Sequence, residues 1–146
     1  MEPKDFLAQV DPPRIVKAIR DAEARSRGEI RVHVASHAVD DVLAEAQRRF
    51  VKLGMTATAE RNGVLVYLAP RAQRFAILGD RAIHERCGDD FWRSAADAMQ
   101  AELRAGRYTD GVVAAVARIG DVLAQHFPRR AGDTDRNELS DEVSED

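Results

Sequence analysis

The chain has 146 residues, 45% of them apolar, and a formal net charge of −3, which fits one globular domain of ordinary composition. No apolar run approaches the ~18 residues of a membrane span, and the single cysteine, Cys87, excludes an intramolecular disulfide or a cysteine-based metal cluster. The charge is unevenly placed. Residues 133–146 hold seven acids against Arg136, so this tail carries −6 and residues 1–132 carry +3. Such a tail is expected to be solvated and disordered. The basic residues of the body are scattered and not interleaved with aromatics, so nucleic acid is not an expected partner. The N-terminal stretch MEPKDFLAQVDPPR mixes acids and prolines and does not read as a secretory signal, so the expected location is the cytoplasm.

Asp11 followed by Pro12 and Pro13 marks a helix start, with Ile15, Ile19 and Ala22 on one face and Gly28 expected to close it. In Glu29–Ser36 the apolar residues Ile30, Val32 and Val34 alternate with Glu29, Arg31 and His33, which predicts a strand with one buried face. Asp40 or Asp41 caps the next helix, whose stripe is Val42–Leu43, Ala46, Phe50 and Leu53, stopped by Gly54. Residues 64–69 (VLVYLA) show no alternation, as in a central strand covered on both faces. Strand, helix, strand predicts a right-handed parallel crossover between residues 29–36 and 64–69. The short break at Pro70–Gln73 then predicts that residues 74–79 pair antiparallel to 64–69.

The remainder is helical. Asp80 caps a short helix over 81–87. Asp89 or Asp90 starts a longer one with Phe91–Trp92, Ala95–Ala96, Met99 and Leu103 inside, closed by Gly106. Asp110 caps the last helix, which Pro128 ends. The expected fold is α/β, a three-layer α/β/α sandwich with a small mixed sheet combining a parallel crossover and an antiparallel hairpin. Residues 1–128 form the domain and 129–146 the acidic tail.

Phosphate-loop and dinucleotide fingerprints are absent, as is a nucleophile elbow. His33 and His37 lie on a predicted strand, where four residues span ~13 Å, too far to chelate one ion. His84 and His126 read as surface or boundary positions, and Cys87 as a buried, inert thiol. Topology supplies the candidate site. The two parallel strands begin, and the antiparallel strand ends, at one edge of the sheet, so Glu29, Asn62 and Asp80 converge there, and the loop before Asp110 can reach them. Three carboxylates and an amide suit a hard cation such as Ca²⁺ or Mg²⁺. Arg61 can hold an anion beside them. Each residue also has a plain structural role: helix caps for Asp80 and Asp110, a turn for Asn62–Gly63, a solvent-facing strand residue for Glu29. A competing site at the opposite edge comprises Asp40, Asp41, Arg71 and Arg74.

The order GEIRV (Gly28–Val32), LGM (Leu53–Met55), RNGVLVYLA (Arg61–Ala69), Arg74–Ile83 with its Gly79–Asp80, and then Phe91–Trp92, Gly106 and Asp110 resembles the TPM domain family over residues 12–128. HFP (His126–Pro128) and NELSD (Asn137–Asp141) are similar to its membrane-free bacterial branch. The resemblance implies the same α/β/α sandwich. It also implies two activities, Ca²⁺ binding and, from a plant lumenal relative, acid phosphatase. By position within the matching motifs, the site would fall on Glu29, Asn62, Asp80 and Asp110. The expected function is a divalent-cation-binding, non-enzymatic accessory module with a protein partner and no membrane span. The alternatives are a weak metal-dependent phosphomonoesterase using Asp80, and a peptide-binding module using a sheet edge or the Phe91–Trp92 surface.

Overall fold

A computed structural model describes residues 3–58, 60–129 and 143–145. Most of the acidic tail, including NELSD, and the side chains of Asp89, Asp90 and Phe91 lie outside the described residues. The elements in chain order are α1 (Pro3–Ala8), α2 (Pro12–Ala24), β1 (Glu29–Val34), α3 (Val42–Lys52), β2 (Gly63–Ala69), β3 (Arg74–Gly79), α4 (Arg81–Arg104), α5 (Tyr108–His126) and β4 (Ser144–Glu145). The sheet order is β3-β2-β1-β4. β1 and β2 run parallel, from Glu29 opposite Gly63 to Val34 opposite Leu68. β2 and β3 run antiparallel, from Val64 opposite Gly79 to Ala69 opposite Arg74. This is the expected α/β sandwich with its small mixed sheet.

The strand sequences dictate the layers. Every residue of β2 is buried. Its Val64, Val66 and Leu68 join Ile30, Val32 and Val34 of β1 against Ile19, Met99, Ile119 and Leu123 of α2, α4 and α5. On the other face Leu65, Tyr67 and Ala69 pack with Ala46 and Phe50 of α3 and with Met55. A strand with no polar face is therefore sandwiched, because each buried Val or Leu contributes about 1.5–3 kcal/mol on leaving water.

Local signals are used mostly as expected. Asp11 accepts from the Arg14 amide at 3.4 Å, and Asp41 from the Ala44 amide at 3.1 Å. Gly106, at φ +79°, terminates α4 in a Schellman arrangement, its own amide reaching Leu103 O at 3.1 Å and the Arg107 amide reaching Glu102 O at 2.9 Å. Within α4, Gly88 (φ 72°, ψ 179°) breaks the helix between the short and long segments.

Three expectations are corrected. Gly28 does not close α2, which ends at Ala24 with Arg25 as its cap. Gly28 is instead a packing point, since a Cβ there would lie 2.6 Å from Leu123 Cδ2. Leu43 falls outside the α3 stripe and is 50% exposed. Asp110 does not cap α5; Arg107 occupies that position and Asp110 lies in the first turn. Within the tail, Ser144 and Glu145 pair parallel to His33 and Val34.

Candidate functional site at one edge of the sheet

The edge at which β1 and β2 begin and β3 ends is stitched by three backbone bonds. The Glu29 amide donates to Asn62 O (3.5 Å), the Asp80 amide to Gly63 O (2.9 Å) and the Ala82 amide to Arg61 O (3.1 Å). Glu29, Asn62 and Asp80 therefore share this edge of the sheet, and all three are buried, with 4%, 2% and 6% of their surface exposed. Asn62 donates through Nδ2 to Arg27 O at 3.1 Å, which ties the segment before β1 to the segment before β2. That bond uses the amide nitrogen and keeps Oδ1 as an oxygen donor.

Asp80 is the most heavily committed group. Arg61 grips it bidentately, Nε to Oδ2 at 2.6 Å and Nη2 to Oδ1 at 2.8 Å. As the N-cap of α4 it also accepts from the Arg81 amide at 2.8 Å. The hydrogen bond to Asp80 raises the Arg61 guanidinium above its ordinary pKa, against a smaller lowering by desolvation. Arg61 reaches this position from a left-handed backbone, φ +52°, which a side-chain-bearing residue adopts only at a cost. Around this pair, Arg27 bonds Glu60 and, through Nε, Pro128 O at 2.9 Å. Thr58 is buried, and its Oγ1 has no hydrogen-bond partner among the described residues.

Asp110 is not part of this cluster. Its carboxylate, half exposed, pairs with Arg14 Nη2 at 3.1 Å near the start of α2. There the adjacent Thr109 Oγ1 accepts from the Asp11 amide at 3.0 Å. The other end of α5 is the one beside the site, where Phe127 O accepts from the Arg27 amide at 2.8 Å. With a rise of ~1.5 Å per residue, Asp110 stands ~25 Å from that end. The sequence already held the signal: α4 starts at Asp80 and crosses the sheet, so the loop that follows it must emerge at the far edge. Among the described residues, no group of three or more His, Cys, Asp or Glu side chains is positioned to hold a metal ion.

The remaining candidates separate. His33 is buried, with Nδ1 2.7 Å from Ser144 Oγ and its ring stacked on Tyr67 at 5.7 Å. His37 instead faces Glu45 at 3.8 Å. Ser144 Oγ also donates to Val32 O at 3.3 Å, a set satisfied when His33 carries its proton on Nδ1. Cys87 is half-buried; burial raises its thiol pKa and the nearby Arg86 charge lowers it by less. Trp92 is half-buried and packs on the core, with His84 5.4 Å from its ring. At the opposite edge, Asp41 is occupied as the α3 cap. The sequence reading missed Arg27, Glu60 and Thr58 at the first edge and a groove at the second.

A family model for the TPM domain matches residues 1–122. The solved NMR structure of the BA42 protein from the psychrophilic bacterium Bizionia argentinensis is 36% identical, with 94% of this chain and 95% of that one covered at a TM-score of 0.85. The N-terminal domain of cg2496 from Corynebacterium glutamicum matches at 18% identity over 85% of this chain and 74% of that chain, TM-score 0.60. An N-terminal domain from P. gingivalis matches at 23% identity over 81% and 76%, TM-score 0.57. These last two share the fold. Among curated proteins, none matches the chain.

Proposed function

The chain belongs to the TPM domain family, and on that premise we propose that it is a non-enzymatic accessory module that binds a divalent cation at the Glu29–Asn62–Asp80 edge. The observation that carries this reading is the burial of Glu29, at 4% exposed, at the same sheet edge as the buried Asn62 and Asp80. Carboxylate, amide and backbone carbonyl oxygens are the donors a hard cation selects, and Ca²⁺ tolerates their irregular arrangement better than Mg²⁺. The Thr58 hydroxyl and the Asn62 Oδ1 supply additional neutral oxygens. Arg61 supplies the positive charge at Asp80, so cation binding there competes with the Arg61–Asp80 pair.

Titration of the full chain with Ca²⁺, followed by amide NMR, tests this. Saturable shifts at residues 29, 61, 62 and 80 with residue 110 silent are expected, and Arg61→Gln should tighten binding by removing the competing charge. Unmoved amides at millimolar Ca²⁺ would reject the site. A phosphomonoesterase using Asp80 draws less support, because both of its oxygens already accept from Arg61.

A second reading, peptide binding by strand addition, is favoured by the pairing of Ser144 and Glu145 with β1. Extended segments add to such edges through main-chain bonds. Ser144→Ala should weaken this seat and speed hydrogen exchange at residues 33–35. Unchanged exchange would remove the support.

A further inference from the structure

We propose that a groove at the opposite edge, where β2 ends and β3 begins, binds a small amphipathic anion: an apolar chain or ring bearing one carboxylate or phosphate. This does not rest on the cation reading. The groove has a volume of about 820 Å³, within the roughly 300–1,000 Å³ of small-molecule sites. Its floor is apolar, formed by Leu68, Phe75, Leu103 and Tyr108, and its rim carries Arg74 and Arg104. The Phe6 and Tyr108 rings, 5.3 Å apart, form one wall.

Charge selects the occupant. The lining contains two arginines and not one Asp or Glu. Both arginines are exposed, and neither makes an ion pair among the described residues. Of the acids beside the lining in sequence, Glu102 pairs with Arg107, Asp110 with Arg14, and Asp41 caps α3, while Asp5 stands next to Phe6 on α1. Two arginines lining one groove with an aromatic and aliphatic floor match an anionic head on an apolar body, because guanidinium forks hold carboxylate and phosphate oxygens well. The groove also sits beyond the C-terminal end of β2, where open α/β sheets place ligands. β2 alone separates it from the acidic edge by ~20 Å.

The test is amide NMR of the full chain titrated in parallel with decanoate, decyl phosphate and decanol. The two anions should shift Leu68, Arg74, Leu103 and Tyr108, and the tighter of them identifies the preferred head group. Decanol should bind at least about tenfold more weakly, the worth of charge-assisted bonds. Arg74→Gln combined with Arg104→Gln should reduce decanoate binding to the level of decanol while leaving the melting temperature unchanged. The proposal is overturned if decanol matches decanoate, or if the double variant binds decanoate like the parent. Shifts confined to Glu29, Asn62 and Asp80, or none at millimolar ligand, overturn it equally.

Discussion

Gly79→Ala probes how the acidic edge is closed. Gly79 ends β3 opposite Val64, and the indole of Trp92, from the long segment of α4, lies over it. A Cβ at position 79 would stand 2.3 Å from Trp92 Cη2, 2.5 Å from Trp92 Cζ2 and 2.9 Å from Ile83 Cγ2. Carbon atoms pack at about 3.5–4.0 Å, so the ring must withdraw by more than ~1 Å. An indole packed on the core does so at an overpacking cost of about 1–3 kcal/mol. For a domain of this size that lowers the melting temperature by about 3–9 °C. Trp92 is the single tryptophan, so its emission should also shift as the ring moves. Trp92→Phe removes the two clashing atoms, and Gly79→Ala should then cost much less in that background, a non-additivity read directly from the double-mutant cycle. Gly106→Ala is the contrast: nothing lies within 4 Å of that Cβ and φ is +79°, so it costs about 1 kcal/mol of backbone strain and leaves the emission alone. An unchanged melting temperature and emission in Gly79→Ala would refute the seating of Trp92 over the strand end.

Asp80→Ala removes the α4 cap and the partner of Arg61; the cap alone predicts about 1–2 kcal/mol less stability, measured by urea unfolding, and an unmoved midpoint would contradict it. Cys87 should react slowly with a neutral thiol reagent in the folded protein and fast in urea, because burial raises its folded pKa and only the thiolate reacts. The raised pKa favours the neutral thiol, so its contribution to stability is intact below the unfolded thiol pKa and is lost as pH rises through the folded one. Equal folded and unfolded labelling rates at pH 8 would contradict this.

The fold was legible because β2 carries apolar residues on both faces, which marks it as an interior strand before any contact is known; β1, read with one buried face, buries Glu29 and His33 on its other face as well. Caps at Asp11, Asp41 and Asp80 were legible for a similar reason: a short acceptor beside orphan amides has one local use. The failures are those of long-range placement. Gly28 reads as a helix stop, yet its lack of a side chain serves Leu123 on α5, far away in sequence. Asp110 reads as part of the site only if the length of α4 is ignored. Arg61 was read as a free anion holder beside Asp80, whereas the two neutralise one another. Sequence spacing places carboxylates near an edge but does not say which cation answers them, and here a guanidinium already answers Asp80.

Arg61 and Gln73 are the only non-glycine residues with positive φ among those described, each at +52°. Arg61 precedes β2 at the acidic edge, and Gln73 precedes β3 at the groove, so each candidate site has one such residue at its mouth. Left-handed backbone costs a side-chain-bearing residue about 1–2 kcal/mol, and it persists where surrounding structure or function holds it. The Gln73 amide donates to Pro70 O at 3.1 Å, a bond glycine retains. Gln73→Gly should therefore raise stability by about 0.5–1 kcal/mol once glycine's greater unfolded-state entropy is set against the relieved strain, seen as a higher urea midpoint. It should also leave decanoate binding unchanged, because the arginines rather than Gln73 hold the anion. A fall in stability would show that the Gln73 side chain, not the turn, closes the end of the sheet. A loss of ligand with stability gained would instead place the glutamine amide among the groups that hold the anion.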